Sequence, residues 1–385
     1  MAKRKLRMGM IGGGPDAFIG AVHRKAAALD GEIELVCGAF SSNPVKSKQA
    51  GDSLYLDPKR VYESYSAMIQ AEKKLPEGVR MDFVSIVTPN HVHFGPAKEA
   101  LENGFHVVID KPLALSLAEA KKLKTITEKS GLVLAVTHAY IGYPMVKEAR
   151  HLVKSGKIGA VRKVYVEYPQ GWLSTPLEQS GQKQAGWRTD PKRSGAGGAI
   201  GDIGTHAANL AEYITGSSIS EICADLNAIV KGRLLDDDSA MLLRFDNGAS
   251  GTLIATQVAA GEENNLKIRV YGEKGGLEWR QEEPNSLVVR SLSEPKHIYR
   301  TGMDYLSDAA KRNTRVPSGH PEGYLEAFAN IYLAFVRAVR DYKPGKKVNA
   351  EKYDFPDVSE GVQGMAFVEA VVKSSKSKQK WVKIL

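Results

Sequence analysis

The first 140 residues alternate between short apolar runs and stretches of helical periodicity. The runs hold Val, Ile and Leu at consecutive positions, which is typical of parallel strands buried on both faces. The stretches between them repeat apolar residues every three or four positions, which predicts helices. We predict strands at 6–11, 34–40, 82–88, 106–110 and 132–137, and helices that include 21–29, 96–103 and 117–130. This order of elements predicts a doubly wound α/β domain with a parallel sheet.

The pattern changes near residue 140, where apolar and polar residues begin to alternate. Such alternation predicts strands with one buried face, here at 161–168, 240–245, 251–256, 266–271 and 287–289. Asn247 and Gly248 follow Asp246 between two of these segments and favour a hairpin turn, because both tolerate positive φ angles. Helical spacing returns at 144–155, 326–339 and 362–374. We predict a doubly wound domain over 1–140 and, over 141–385, an α+β domain with a large open, mostly antiparallel sheet.

Two polar stretches of the second half have no regular period. Residues 174–198 are rich in Gly, Ser, Lys and Arg, which predicts a mobile loop that closes over a ligand. Asp236, Asp237 and Asp238 stand together just before a predicted strand. We expect these three acids to form an exposed turn rather than a cation site.

The composition is that of an ordinary globular protein, with 43% hydrophobic and 25% charged residues. The net charge of +9 comes from dispersed side chains, without an aromatic-interleaved basic stripe. We therefore expect phosphate-bearing small molecules as partners and no nucleic acid. No apolar run approaches the roughly 18 residues that span a bilayer, and no apolar leader follows Met1. We expect a cytoplasmic protein without a membrane partner.

Three consecutive glycines, beginning at Gly12, lie between the first predicted strand and the first predicted helix. Glycines at this place allow a tight turn and let backbone N–H groups approach a pyrophosphate at a helix N-terminus. The third glycine of the simple fingerprint is displaced to Gly20, so the loop is about three residues longer than usual. We predict a Rossmann dinucleotide-binding domain with cofactor contacts from Gly12, Gly14, Phe18 and Ile19.

The end of the second predicted strand decides between the two nicotinamide cofactors. An Asp or Glu there would bond the ribose 2′-hydroxyl of NAD, but the chain offers Ser41, Ser42 and Lys46 instead. Hydroxyl and ammonium groups suit a 2′-phosphate. Because a hydroxyl also bonds a ribose hydroxyl, NAD stays open. We predict NAD(P) as the cofactor, with a preference for NADP.

Two short segments could carry chemistry. Lys111 lies between Asp110 and Pro112 at the carboxyl end of a predicted buried strand, where the proline restrains the lysine backbone. Asp202 and His206 are four residues apart, one helical turn, as an acid–base pair requires. The competing interpretations are a solvated strand end for Lys111 and, for the other two, a helix cap with a satisfied core histidine.

Together with a Thr88-Pro89-Asn90 segment followed by His93, these motifs resemble the glucose-fructose oxidoreductase/inositol dehydrogenase (Gfo/Idh/MocA) family over nearly the whole chain. The resemblance implies a Rossmann domain followed by a domain whose open sheet packs into homodimers or homotetramers. It also implies that Lys111, Asp202 and His206 are catalytic. The added cofactor contacts would come from Thr88, Pro89, Asn90, His93, Asp110 and Lys111. In this family Glu is usual where this chain has Asp110, which keeps the charge on a shorter side chain.

The reaction implied by the resemblance is reversible oxidation of a secondary hydroxyl on a sugar, glycoside or cyclic polyol. His206 would accept the hydroxyl proton, Asp202 would orient it, and Lys111 would bond the reacting oxygen, although Lys111 is the alternative proton acceptor. Two other functions stay open. One is an NAD-assisted glycoside hydrolase or lyase that oxidises the sugar transiently. The other is a non-catalytic sensor of nucleotide or sugar, which the presence of all three groups argues against.

Further substrate contacts are predicted from side chains that suit a polyhydroxylated ring, namely aromatic faces and hydrogen-bond donors. With Lys111, Asp202 and His206, these candidates are Tyr140, Tyr143, Trp172, Arg188 and His320. His91 and His93 form a pair without a third ligand nearby, so we predict no metal site.

Overall fold

The computed structural model describes residues 4–15, 17–346 and 348–384, which form two compact units. The first contains the residues up to His138 and also Phe328–Val362, and the second contains Ala139–Ala327 and the residues from Gln363 onward. The domain boundary predicted at residue 140 therefore misses the return of the chain to the first unit. The return has a packing reason, since Phe335 lies edge-on to Phe83, with 5.0 Å between ring centroids.

Parallel strands form the sheet of the first unit, as predicted. Among the described residues these strands are β1 Leu6–Gly12, β2 Ile33–Ala39, β3 Phe83–Val87, β4 His106–Ile109 and β5 Leu134–Val136, in the order β2-β1-β3-β4-β5. Every residue of β3, β4 and β5 is buried, which explains their continuous apolar runs. The carboxyl ends of all these strands therefore share one edge of the sheet, where open α/β sheets bind ligands.

The helices that accompany this sheet are α1 Phe18–Leu29, α2 Pro44–Ser53, α3 Tyr65–Lys74, α4 Phe94–Glu102 and α5 Leu117–Ser130, with short 3-10 turns at Pro58–Arg60 and Asn90–Val92. Periodicity did not predict α2 and α3. Local caps begin them instead: the Asn43 side chain accepts the Lys46 N–H (3.2 Å), and Ser64 accepts the Ala67 N–H (3.1 Å).

The second unit contains the large open sheet that was predicted. Its described strands are β6 Val161–Pro169, β7 Ile219–Asn227, β8 Asp238–Phe245, β9 Ser250–Thr256, β10 Lys267–Gly272, β11 Gly275–Arg280, β12 Ser286–Ser291, β13 His297–Arg300 and β14 Trp381–Lys383. They lie in the order β13-β12-β11-β10-β6-β9-β8-β7-β14, and only β6 and β9 pair in parallel. The predicted hairpin joins β8 to β9, with Gly248 at a φ of +84°. Strands β7, β11, β13 and β14 were not predicted.

The remaining helices are α6 Pro144–Lys154, α7 Lys183–Arg188, α8 Pro191–Ser194, α9 Thr205–Thr215, α10 Asp308–Arg312, α11 Tyr324–Asp341, α12 Ala350–Tyr353 and α13 Val358–Lys376, with 3-10 turns at Ala139–Gly142 and Leu177–Ser180. The prediction of an irregular loop over 174–198 was wrong, because α7, α8 and the Leu177–Ser180 turn occupy most of it. Within the described part of the chain, no helix is both long and apolar enough to cross a membrane.

Candidate active site

The glycine loop after β1 has the backbone geometry of a phosphate-binding turn. Gly12 and Gly13 have φ angles of +84° and +71°, which other residues rarely adopt. A Cβ on Gly14 would lie 2.7 Å from the Phe40 carbonyl oxygen, and one on Gly20 would lie 2.3 Å from the Gly13 Cα. Gly20 therefore fills the close-approach role of the third glycine from its displaced position. Asp16, inside this loop, lies outside the described residues.

Helix α1 starts directly after this loop, and among the described residues no side chain caps its N-terminus. Its first N–H groups therefore suit an anion. Phe18 is 66% exposed and Ile19 is half-buried, so both are accessible at the mouth of the loop. Thr88 packs closely against the glycine loop, since a Cβ on Gly12 would lie 2.9 Å from the Thr88 Cγ2. These features fit a dinucleotide pyrophosphate.

The chain after β2 carries no Asp or Glu from residue 40 to residue 51. Ser41 is half-buried and its hydroxyl accepts the Asn43 N–H (3.1 Å), which shapes the turn into α2. Ser42 and Lys46 are exposed beside it. The turn thus presents hydroxyl and ammonium groups and no carboxylate, as the sequence indicated.

His93 joins the loop after β3 to the loop after β4. Its ring is fully buried, with Nδ1 2.7 Å from the Pro112 carbonyl oxygen and Nε2 2.8 Å from that of Thr88. Burial lowers the pKa of His93, and a neutral ring donates to only one of these carbonyls. Asn90 is buried at the start of the same loop, after Pro89. His93 therefore fixes the backbone beside Lys111, and the described residues contain no His, Cys, Asp and Glu cluster suited to a metal.

Asp110 turns back onto the protein instead of extending away from it. Its carboxylate accepts the Lys111 N–H (3.0 Å) and the Thr137 hydroxyl (2.8 Å), and lies 3.8 Å from His23 Nε2. Burial favours the neutral acid, but the neighbouring His23 and the positive charge of Lys111 outweigh burial and hold the pKa of Asp110 well below its usual range. The shorter acid therefore holds the Lys111 backbone in place. The Lys111–Pro112 peptide bond is cis.

His23, which lies beside the Asp110 carboxylate, belongs to a buried polar cluster. His23 Nδ1 lies 2.8 Å from the Tyr332 hydroxyl, which lies 2.9 Å from Ser85 Oγ. His23, Ser85 and Tyr332 are each at most 1% exposed. The sequence did not point to any of them, because Tyr332 comes from α11, more than 190 residues after β5.

In the second unit, Asp202 and His206 lie on one continuous helical segment, as predicted. Its first turn is a π-helix, Ile200–Gly204, and α9 follows without a break. Such π-turns occur frequently at functional sites. Asp202 Oδ2 accepts Arg188 Nε (3.0 Å) and Gln257 Nε2 (2.9 Å). One carboxylate oxygen thus takes a charged and a neutral donor, which fixes its orientation.

A chain of hydrogen bonds continues from Gln257 away from Asp202. Gln257 Nε2 also reaches Gln170 Oε1 (3.2 Å), and Gln170 Nε2 donates to Asn264 Oδ1 (2.7 Å). The Tyr168 hydroxyl donates a hydrogen bond to Asn264 Oδ1 (2.7 Å), and Tyr168 also hydrogen-bonds Tyr140. The Tyr140 ring then meets the His206 ring edge-on at 4.8 Å. The network starts at Asp202 and ends against the histidine one turn away.

The other predicted substrate contacts occupy different surroundings. The Trp172 indole donates to Gln170 Oε1 (3.0 Å), and the Arg188 guanidinium lies 5.9 Å from its ring. Tyr143 is 2% exposed and packs against Trp279, and burial raises its pKa. His320 is exposed and lies 3.2 Å from the carbonyl oxygen of Pro317 in its own turn. Trp172 and Arg188 thus join the Asp202 network, whereas Tyr143 is placed in the core.

Family models match both halves of the chain. One, described as an oxidoreductase family with an NAD-binding Rossmann fold, matches residues 6–138, and the GFO/IDH/MocA C-terminal domain matches residues 146–278. The chain belongs to the Gfo/Idh/MocA family. This confirms the resemblance and the fold drawn from the sequence, and it makes the protein an oxidoreductase.

Solved members of the Gfo/Idh/MocA family superpose over almost the whole chain. An oxidoreductase from Sinorhizobium meliloti is 46% identical, with a TM-score of 0.88 and coverage of 99% of this chain and 100% of that one. An inositol dehydrogenase homolog from Azotobacter vinelandii, complexed with NADH and myo-inositol, is 34% identical, with a TM-score of 0.89 and coverage of 99% and 98%. A curated relative, the levoglucosan dehydrogenase of Pseudarthrobacter phenanthrenivorans, is 27% identical over 76% of this chain and 77% of its own.

Proposed function

We propose that this member of the Gfo/Idh/MocA family is an NAD(P)-dependent dehydrogenase that acts on a secondary hydroxyl of a sugar or cyclic polyol. The observation that carries the proposal is the Asp202 network, in which one chain of contacts from the carboxylate joins guanidinium, amide, indole and phenol groups. Such a set suits a ring that carries several hydroxyls. The myo-inositol complex of the A. vinelandii homolog and the levoglucosan dehydrogenase support the same substrate class.

The cofactor would be held by the first unit. Gly12, Gly14 and the N-terminus of α1 would bind the pyrophosphate, with Phe18, Ile19 and the Thr88–Asn90 and His93 loop around it. When bound, a nicotinamide ring supplies the hydride acceptor. Asp110 and His93 hydrogen-bond the backbone on either side of Lys111 and so fix its position.

We assign the reacting groups to Lys111, Asp202 and His206, each of which matches a catalytic position of the family. His206 accepts the hydroxyl proton, since imidazole titrates near neutral pH. To Lys111 we assign the role that its position has in the family, which is to stabilise the negative charge that develops on a reacting oxygen. Asp202, held by Arg188 and Gln257, orients His206 and balances the positive charges. Tyr140, Trp172 and Arg188 would contact the other hydroxyls.

We propose NADP as the preferred cofactor. The support is the carboxylate-free turn after β2, where Ser41, Ser42 and Lys46 lie together. Because this turn has no carboxylate, a 2′-phosphate would meet no charge repulsion from an acidic side chain there. NAD would still bind, because the hydroxyl groups can bond a ribose hydroxyl.

We propose that the protein self-associates through the open face of the nine-stranded sheet. Side chains that alternate outward on its central strands include exposed apolar groups, with Leu242 at 50% and Ile254 at 39% exposure. Tyr165 and Tyr271 lie beside them with 6.2 Å between ring centroids. Light scattering on Leu242→Lys tests the proposal: the mass should fall relative to the wild type, and an unchanged mass would contradict it.

The function is tested by screening inositols, pyranoses and glycosides with NAD and NADP separately and following nicotinamide absorbance. The expected result is stoichiometric cofactor reduction with at least one polyol. In that assay His206→Asn should lower kcat by on the order of 10²- to 10⁴-fold. Release of an aglycone without net cofactor reduction would indicate a glycoside hydrolase instead. Failure with every polyol under both cofactors would refute the dehydrogenase.

A further inference from the structure

Asp236 and Asp237 are not the exposed turn that the sequence predicted. Asp237 is 1% exposed, and both residues bond distant segments of the second unit. Asp236 Oδ1 accepts the Gly198 N–H (2.7 Å) and Oδ2 accepts the Ile200 N–H (2.8 Å), while its backbone carbonyl accepts the Ala199 N–H (2.8 Å). Three successive N–H groups at the start of the Asp202 helix are thus satisfied by one residue.

This contact admits little movement. A Cβ on Gly198 would lie 2.0 Å from the Asp236 carbonyl oxygen, so only glycine allows the approach. The Gly198 carbonyl in turn accepts the Asp202 N–H (2.9 Å), which sets the first turn of the helix.

The charge of Asp236 also suits its place, because a carboxylate is the favourable charge at a helix N-terminus. Burial raises the pKa of Asp236 to about 6, its bonds from Ile200 and Gly198 oppose that rise, and nearby Asp237 adds to it. Asp236 is therefore ionised at neutral pH.

Asp237 fixes Gln257, which bonds Asp202, and the segment that carries Trp172. Its carbonyl accepts the Gln257 N–H (2.8 Å), and the Gln257 side chain bonds Asp202 directly. Its carboxylate bonds Arg233 (3.0 Å), and Arg233 donates to the carbonyl of Leu173 (2.7 Å), directly after Trp172. Each acid of the pair therefore fixes a different element around the same carboxylate.

We propose that the Asp236–Asp237 pair is a positioning device for Asp202 and His206, with Asp236 fixing the start of their helix and Asp237 fixing Gln257 and the Trp172 segment. The inference rests on the proposed function, because it gives the two residues a role in the rate through Asp202 and His206. Neither acid reacts with substrate itself. Their effect is on geometry, to which hydride and proton transfer are sensitive.

The test compares Asp236→Ala and Asp236→Asn with Glu148→Ala in the full chain. Glu148 is a matched control, because it is buried and accepts the N–H of Ser307, the N-cap of α10. Asp236→Ala should lower kcat on the order of 10- to 100-fold and change KM for the polyol less than about threefold. Asp236→Asn, which keeps one acceptor oxygen, should lie between Ala and wild type. Glu148→Ala should lower only the thermal midpoint.

Amide hydrogen exchange over residues 198–202 gives a second readout that needs no substrate. Asp236→Ala should accelerate exchange there and Glu148→Ala should not. If the wild type oxidises no polyol, accelerated exchange still supports positioning while the proposed function fails. The inference is overturned if exchange and kcat both keep wild-type values in the Asp236 variants, or if Glu148→Ala lowers kcat as much as Asp236→Ala.

Discussion

Arg233 is buried although it is charged, and its replacement by Met has a stability cost that the structure defines. Its side chain and that of Asp237 are each 2% exposed, with 3.0 Å between Nη1 and Oδ2. Arg233 also pairs with Glu178 (3.0 Å) and donates to the carbonyls of Leu173 (2.7 Å) and Thr175 (2.9 Å). Met retains most of the apolar stem but leaves the buried Asp237 carboxylate without its counter-charge.

Removing one partner of a buried ion pair costs about 3–5 kcal/mol. Asp237 keeps the N–H groups of Ile229 (2.7 Å) and Val230 (3.0 Å), so we expect the lower part of this range, about 3–4 kcal/mol. In a unit of roughly 200 residues, each 1 kcal/mol lost from the free energy of unfolding lowers Tm by about 2–4 °C. Arg233→Met should therefore lower the midpoint of the second unit by about 6–16 °C.

Differential scanning calorimetry of the full chain measures this shift. The double variant Arg233→Met with Asp237→Asn should regain at least half of it, because the uncompensated charge is then gone. Arg162→Met is the control, since Arg162 and its partner Glu273 are 67% and 46% exposed and such pairs contribute little. A shift for Arg233→Met as small as that of the control, or no recovery in the double variant, would refute the reasoning.

Two further predictions concern the first unit. Ser41→Asp places a carboxylate in the turn after β2, so kcat/KM with NADP should fall about tenfold or more relative to NAD, measured with one substrate and both cofactors; an unchanged ratio would place the 2′-phosphate elsewhere. His138 has a pKa lowered to about 3 by burial and by the charge of Lys111, so its protonation favours the unfolded chain. Its stabilising contribution is complete above pH 6.5 and is lost below it, by about 2 kcal/mol at pH 5. Denaturant titrations at both pH values should show a loss that is about 2 kcal/mol larger in the wild type than in His138→Asn, because other buried histidines such as His93 add to the loss in both proteins. Equal losses would contradict the assignment.

The parallel strands could be predicted because strands that are buried on both faces need apolar residues at consecutive positions. Helix α2 could not, since its segment is polar and begins at the Asn43 cap rather than on an apolar stripe. Strand β7 was missed for a related reason: polar residues interrupt its alternation. Local sequence patterns thus report burial well and report capping and edge pairing poorly.

Candidate site residues can be proposed from the sequence where a residue type is unusual for its position, as with Lys111 at a strand end. Gln170, Gln257 and Asn264 were missed because an amide carries no distinctive chemistry until its partners are known, and those partners lie up to 96 residues apart. Asp237 was misread for the same reason. A run of acidic residues predicts a solvent-exposed segment, and the sequence does not show which arginine pairs with one of them in the folded protein.

The return of Phe328–Val362 to the first unit has a consequence for biosynthesis. Phe328, Tyr332 and Phe335 pack on His23 and Phe83, yet they leave the ribosome after about 190 further residues have been translated. Until then the nascent nucleotide-binding sheet keeps an uncovered apolar surface. A fragment ending at residue 140 should therefore be aggregation-prone, whereas a fragment that restores 328–362 through a linker should be recovered folded. Gene fusions or truncations of this enzyme must keep the late segment with the early one.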